Sequence, residues 1–212
     1  MEGLMKKFFM FGFLCIFLVS CGPAVTTDIH KANLSPQFNR ESVKRVAIIG
    51  FDKNFGIGYN TDIIADKFTA ELVDGKLFSI MDRNDIDKVF TEVGFQQKSS
   101  YAGLLDDKTK NKLKAMGADS ILTGKLVAYN QMEKGRDIYM SEVQLVAKLI
   151  SIETGAVLWS SEISERSKAD DKNEAASAEY LLTDIIEKMS KPLKSEGLVK
   201  NISKNLNLNL MK

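Results

Sequence analysis

The hydrophobic period changes part-way along this chain, and that change restricts the folds open to it. From Arg45 to Gly117, short apolar runs alternate with segments whose apolar residues recur every three or four positions; from Asp119 to Ile163 the period drops to two. Arg45-Val46-Ala47-Ile48-Ile49-Gly50-Phe51 reads as a buried strand, and Asp52 to Tyr59 as a loop by its Gly and Asn content. Thr61 to Val73 follows as a helix with Ile64, Phe68 and Leu72 on one face, then Leu77 to Met81 as a second strand. Asp82 is placed to cap a helix whose stripe is Ile86, Val89, Phe90 and Val93, with Asp85, Asp87, Lys88 and Glu92 outside it. A short helix from Asp107 to Met116 stops at Gly117.

The second half reads as a meander. Asp119 to Tyr129 is a strand, Glu133 to Arg136 a polar turn, and Met140 to Ile152 a longer strand. Glu153-Thr154-Gly155 is a tight hairpin into Ala156 to Ile163, on which Val157, Trp159 and Ile163 are expected to share a face, with Trp159 against a covering helix. Polar residues from Glu165 to Asn173 lead to a last helix, Glu174 to about Lys194, with Ala178, Leu182, Ile185 and Met189 facing inward. The order βαβα(α)βββα contains both a βαβ half and an antiparallel meander. An α/β fold follows, with one mixed sheet and helices packed on it, spanning residues 43–194. The tail, 195–212, fits an edge strand, a helix end or disorder.

Ahead of the fold stands an address. Lys6 and Lys7 precede the apolar run Phe8 to Val19, and Ser20 precedes Cys21. As a helix that run would be roughly 18 Å long against a hydrocarbon core of ~30 Å, so residues 1–20 are expected to be a cleaved signal peptide and not a span. Leu18-Val19-Ser20-Cys21 resembles the bacterial lipobox, which implies acylation of Cys21 and attachment to a membrane through that residue. Several acyl chains on one residue suffice for stable anchoring, where a single chain does not. Gly22, rather than Asp, after the lipidated residue favours the outer membrane by the usual sorting rule, with the domain facing the periplasm. Residues 21–42 carry no clear period and are expected to form a polar tether, with His30 a solvated linker residue.

Composition narrows the chemistry. Cys15 leaves with the signal and Cys21 is consumed by lipid, so the mature chain of about 190 residues has no thiol for a disulfide or metal and must rely on an ordinary core. Acidic and basic side chains balance, which argues against a nucleic-acid partner. Gly56-Ile57-Gly58 sits between a strand and a helix, but without a third glycine or a Gly-Lys-Ser/Thr it reads as a plain turn. Asp82, Asp85 and Asp87, the pair Asp106-Asp107 and the pair Asp170-Asp171 read as caps and solvated faces. No catalytic residue, metal ligand or cofactor is expected, and the chain does not read as an enzyme.

Three stretches carry a family resemblance: Val46 to Phe51; Leu77 to Phe90, with its Met81-Asp82-Arg83-Asn84; and Leu113 to Gly124, with its Met116-Gly117-Ala118-Asp119. With the Ile152 to Ser160 hairpin they resemble the CsgG family over Val43 to Glu165. Members of this group either oligomerise into the curli export channel or, when LpoB-like, bind and activate a penicillin-binding protein; neither uses a cofactor. The channel wall needs two hairpins per subunit, whereas Asn130–Glu142 is thirteen residues with Glu133, Lys134, Arg136, Asp137 and Glu142 among them, and Arg166–Asn173 is a short charged link. The resemblance therefore implies the periplasmic domain without transmembrane hairpins. It implies an adaptor binding an envelope protein, a penicillin-binding protein or a secretion component; a subunit of an oligomeric export complex is the alternative, and a nucleotide-binding enzyme using the Gly56–Gly58 loop is a third, weaker reading. The exposed side of the meander and the Gly56 loop are the expected docking surfaces.

Overall fold

A computed structural model describes residues 23–74, 78–93, 107–171 and 173–210. Six strands form one mixed sheet in the order β1-β6-β5-β4-β2-β3. They are β1 (Val25–Leu34), β2 (Arg45–Lys53), β3 (Ser79–Ile80), β4 (Ser120–Lys134), β5 (Asp137–Ser151) and β6 (Val157–Lys168). The helices are α1 (Asp62–Asp74), α2 (Arg83–Val93), α3 (Asp107–Ala115) and α4 (Ala178–Leu210). The expected α/β order stands, with one strand added in front. β2 pairs in parallel with β3 and β4, and the other pairings are antiparallel.

Alternation along β2 divides the core. Val46, Ile48 and Phe51 join α1 and α4 in the larger cluster, with Phe68, Leu122, Leu145, Trp159 and Ile185. Ala47 and Ile49 point the other way, to Ile86 and Val89 of α2 and Leu113 of α3. Among the described residues, only the parallel half of the sheet is covered on both faces. Along β5, Val143, Leu145, Ala147 and Leu149 are buried while the intervening Gln144, Val146, Lys148 and Ile150 are half-exposed, the signature of a sheet covered on one side.

Caps and turns follow the sequence closely. The Asp82 carboxylate accepts from the Asn84 amide at 2.8 Å, opening α2 as an N-cap. The Asp119 carboxylate accepts from the amides of Lys44 (2.7 Å) and Arg45 (2.9 Å), so the Gly-Ala-Asp stretch locks the start of β2 against the start of β4. At the end of the α3 turn Gly117 has φ +89°, a conformation that a Cβ disfavours. Gly124 answers to a closer constraint. A Cβ there would lie 2.0 Å from the Val146 carbonyl oxygen and 2.6 Å from the Phe51 ring.

Three expectations are corrected. Residues 25–34 are not tether: they form edge strand β1, antiparallel to β6 from Val25↔Ser167 to Leu34↔Trp159, and His30 is an exposed strand residue opposite Ile163. The segment lacks strand alternation because an edge strand buries little and a register shift between Thr27 and Ile29 breaks the period. Val157 does not share the face of Trp159 and Ile163. Trp159 pairs with Leu149 and Val157 with Ile150, so Leu158 is an inserted bulge residue that turns Val157 to solvent. The residues from Glu165 to Lys168 extend β6, and α4 starts at Ala178, not Glu174, with Ser177 as its cap. Ala178, Leu182, Ile185 and Met189 are buried as expected, and of the three readings of the tail the helix holds, through Leu210.

Candidate functional site

The strands bring one end of the sheet together as a surface. β2 and β4 finish there, β5 begins there, and β1 starts there beside the end of β6. Asn54 opens the loop between β2 and α1. Its amide donates to the Leu126 carbonyl and its side-chain nitrogen to the Val127 carbonyl at 2.8 Å, where β4 bulges. Gly56, at φ +87°, then turns the chain, leaving Phe55 fully exposed. The β4–β5 hairpin closes through Gly135, at φ +72°, and shows Met132 and Tyr139 to solvent, with the Tyr139 hydroxyl 3.0 Å from the Met132 sulfur. Tyr180, in the first turn of α4, is also exposed.

A polar knot underlies this end. The Glu179 carboxylate accepts from the Tyr59 hydroxyl at 2.9 Å and the Tyr129 hydroxyl at 3.4 Å, and pairs with Lys67 at 2.9 Å. The two tyrosine rings lie 4.3 Å apart. Burial and the neighbouring carboxylate push both phenols up, that of Tyr129 to about 12. Burial alone would raise Glu179, but the hydrogen bonds from Lys67 and Tyr59 outweigh it and hold the carboxyl below its ordinary value. A negative charge in the first turn of α4 is also favoured by the helix dipole. The knot ties the loop, β4, α1 and α4 into one platform.

Ser167 ties in the start of β1. Its hydroxyl donates to the Ala24 carbonyl at 2.8 Å and accepts from the Ala176 amide at 2.9 Å. Two residues earlier, Glu165 is fully buried, with Lys188 at 2.5 Å and the Thr27 hydroxyl at 3.3 Å; Lys188 in turn pairs with Asp184 at 2.7 Å. Burial, reinforced by Asp184, pushes the Glu165 carboxyl up despite Lys188.

Cys21 and Asp106 lie outside the described residues. Asp82 is a cap, Asp85 pairs with Lys88, Asp107 with Lys110, and Asp170 holds a turn to Asn173; Asp87 and Asp171 are exposed. No three His, Cys, Asp or Glu side chains converge as metal ligands among the described residues. The Gly56 loop lies on the surface at this end of the sheet, with Phe55 exposed beside it. The Tyr59–Tyr129–Glu179 knot and the buried Glu165 were not visible beforehand, because partners 23 to 138 positions apart leave no local pattern. A pocket of about 440 Å³ at the opposite end is lined by Lys114, Asp119, Ser151 and Glu153 among others, with Lys114 paired to Glu153.

The family model for the peptidoglycan-synthase activator LpoB matches residues 58–165, just over half of the chain. The chain belongs to the LpoB family. Activators of this family are non-catalytic, envelope lipoproteins. Among solved structures, the PelC dodecamer from Paraburkholderia phytofirmans is 15% identical with a TM-score of 0.51, covering 81% of this chain and 98% of that one. Lipoprotein GNA1162 from Neisseria meningitidis is 15% identical with a TM-score of 0.50, covering 76% and 99%. The LpoB C-terminal domain from Escherichia coli is 13% identical with a TM-score of 0.43, covering 57% and 82%. The likenesses to PelC and GNA1162 show a shared fold. No curated protein matches the sequence.

Proposed function

We propose that this chain is acylated at Cys21, held on the periplasmic side of the outer membrane, and binds and activates a peptidoglycan synthase of the penicillin-binding class. The family match over residues 58–165 carries the reading. A non-catalytic activator works by stabilising one state of its enzyme, which requires a rigid surface and no reactive group of its own. The platform around Phe55, Tyr59 and Tyr180 supplies exposed aromatics on a braced base, the kind of group that dominates protein interfaces. Crosslinking of the full chain in membranes, followed by glycan-polymerisation and transpeptidation assays with the captured synthase, tests this. Capture with a several-fold rise in synthesis is expected. Isolation of the lipoprotein alone under several crosslinkers, or capture with no change in rate, overturns it. Cys21→Ser is expected to abolish lipid labelling and move the protein to the soluble fraction; continued labelling refutes the anchor.

A ring-forming subunit of an export complex is the second reading. β1 lies at the sheet edge with one side open, a ready template for pairing with another copy. Mass photometry of detergent-extracted protein decides: a strict monomer ends this reading.

A further inference from the structure

The start of β1 fixes which end of the domain faces the lipid. Val25 pairs with Ser167, and the Ala24 carbonyl is already held by Ser167, so only Gly22, Pro23 and Ala24 separate Cys21 from the sheet. Fully extended, the four steps from Cys21 to Val25 reach about 13 Å. β1 then runs away from that end towards Leu34. The residues that look like slack are spent inside the fold.

The β4–β5 hairpin stands beyond this attachment point. Val25, Ser167 and Ser141 lie at one level across the sheet, and the turn at Gly135 is six residues further along β5, about 20 Å at ~3.3 Å per residue. The hairpin therefore projects past the farthest level that Cys21 can reach along the strand direction. An acylated Cys21 sits at the headgroup boundary, and the tip must then enter that layer or the domain must lie tilted with the same end down. The tip suits the first arrangement. Tyr139 and Met132 are exposed on it, a phenol and a thioether, and tyrosine is a residue of membrane interfaces. Lys134 and Arg136 are balanced by Glu133 and Asp137, so apolar and aromatic groups, not net charge, set the contact.

We propose that the β4–β5 hairpin tip rests in the headgroup layer of the bilayer that holds Cys21, fixing the domain with its hairpin end down and its Glu153 hairpin outward. This rests on the acylation of Cys21 proposed above. Once Cys21 is acylated, single cysteines at Lys134, Arg136 or Glu153 in the full chain can be spin-labelled selectively. The labelled protein is reconstituted in phosphatidylethanolamine vesicles with and without phosphatidylglycerol, and label accessibility to oxygen and to a water-soluble nickel complex is measured.

Labels at 134 and 136 are expected to be several-fold less accessible to nickel and more accessible to oxygen than the label at 153, with either lipid composition. Protein that never joins the vesicles refutes the anchor itself. Vesicle-bound protein with all three labels equally open to nickel leaves the anchor standing and overturns the orientation. Protection from nickel without oxygen enrichment indicates a second copy or another protein on the tip, and also overturns it. A twelve-residue Gly-Ser insertion between Pro23 and Ala24 should restore nickel access at 136; unchanged protection overturns the short tether as its cause.

Discussion

Replacing Gly124 by alanine tests the central pairing of the sheet. β4 lies between parallel β2 and antiparallel β5, and Gly124 is where they come closest. A methyl group there would stand 2.0 Å from the Val146 carbonyl oxygen and 2.6 and 2.9 Å from two carbons of the Phe51 ring. The ring is itself stacked on Phe68 at 5.3 Å, and both phenylalanines are buried. Relief requires the β4–β5 ladder to open by more than an ångström, or Phe51 to leave its stack, or both. Overpacking of a dense core costs about 1–3 kcal/mol, and each net ladder hydrogen bond lost adds about 1 kcal/mol. With one or two bonds lost the sum is roughly 2–5 kcal/mol, a large part of the ~5–15 kcal/mol available to a domain. At about 2–4 °C per kcal/mol for a chain of this size, the melting temperature falls by roughly 4–20 °C. Urea unfolding followed by the buried Trp159 measures it, with Gly58→Ala as the control, since Gly58 has nothing within 4 Å and ordinary backbone. A loss below about 1 kcal/mol for Gly124→Ala refutes the close approach of β4 and β5.

Ser167→Ala leaves the Ala176 amide and the Ala24 carbonyl without their hydroxyl partner, at about 1–3 kcal/mol, and hydrogen exchange should speed up in Val25 to Leu34; unchanged exchange there means that β1 is not held by Ser167. The Glu165 carboxyl, observed by carbon NMR, should titrate above the ordinary glutamate range, and a midpoint within or below that range contradicts its burial. Glu179 runs the other way. Its folded value lies below the unfolded one, so it contributes stability above the unfolded value that is lost as pH falls through the folded value. Glu179→Gln should therefore flatten the loss of stability on acidification below about pH 4.5, and an unchanged acid limb counts against the tyrosine–lysine knot.

Local chemistry made much of this protein legible from sequence alone. The βαβ half is written in helical stripes such as Ile86–Val89 and in caps such as Asp82, each satisfied within a few residues. The meander is written in the period of two along β5 and in the turn glycines 135 and 155, because a half-covered sheet alternates and tight turns need positive φ. The hairpin end of the sheet was legible only as a glycine-containing loop and a polar turn. Nothing nearby showed that Phe55, Met132, Tyr139 and Tyr180 would gather at one end, since strand order β1-β6-β5-β4-β2-β3 decides that.

The tertiary structure also decided the fate of residues 25–34. Their sequence carries too few apolar residues to announce a strand, and their hydrogen bonds are supplied by β6, more than a hundred residues away. Glu165 reads as solvated until the return of α4 buries it beside Lys188. The sequence determined the elements and the residue through which the chain is expected to meet lipid. Only the sheet order determined how little slack lies between that residue and the fold, because edge pairing is a contact between distant segments and no local pattern encodes it.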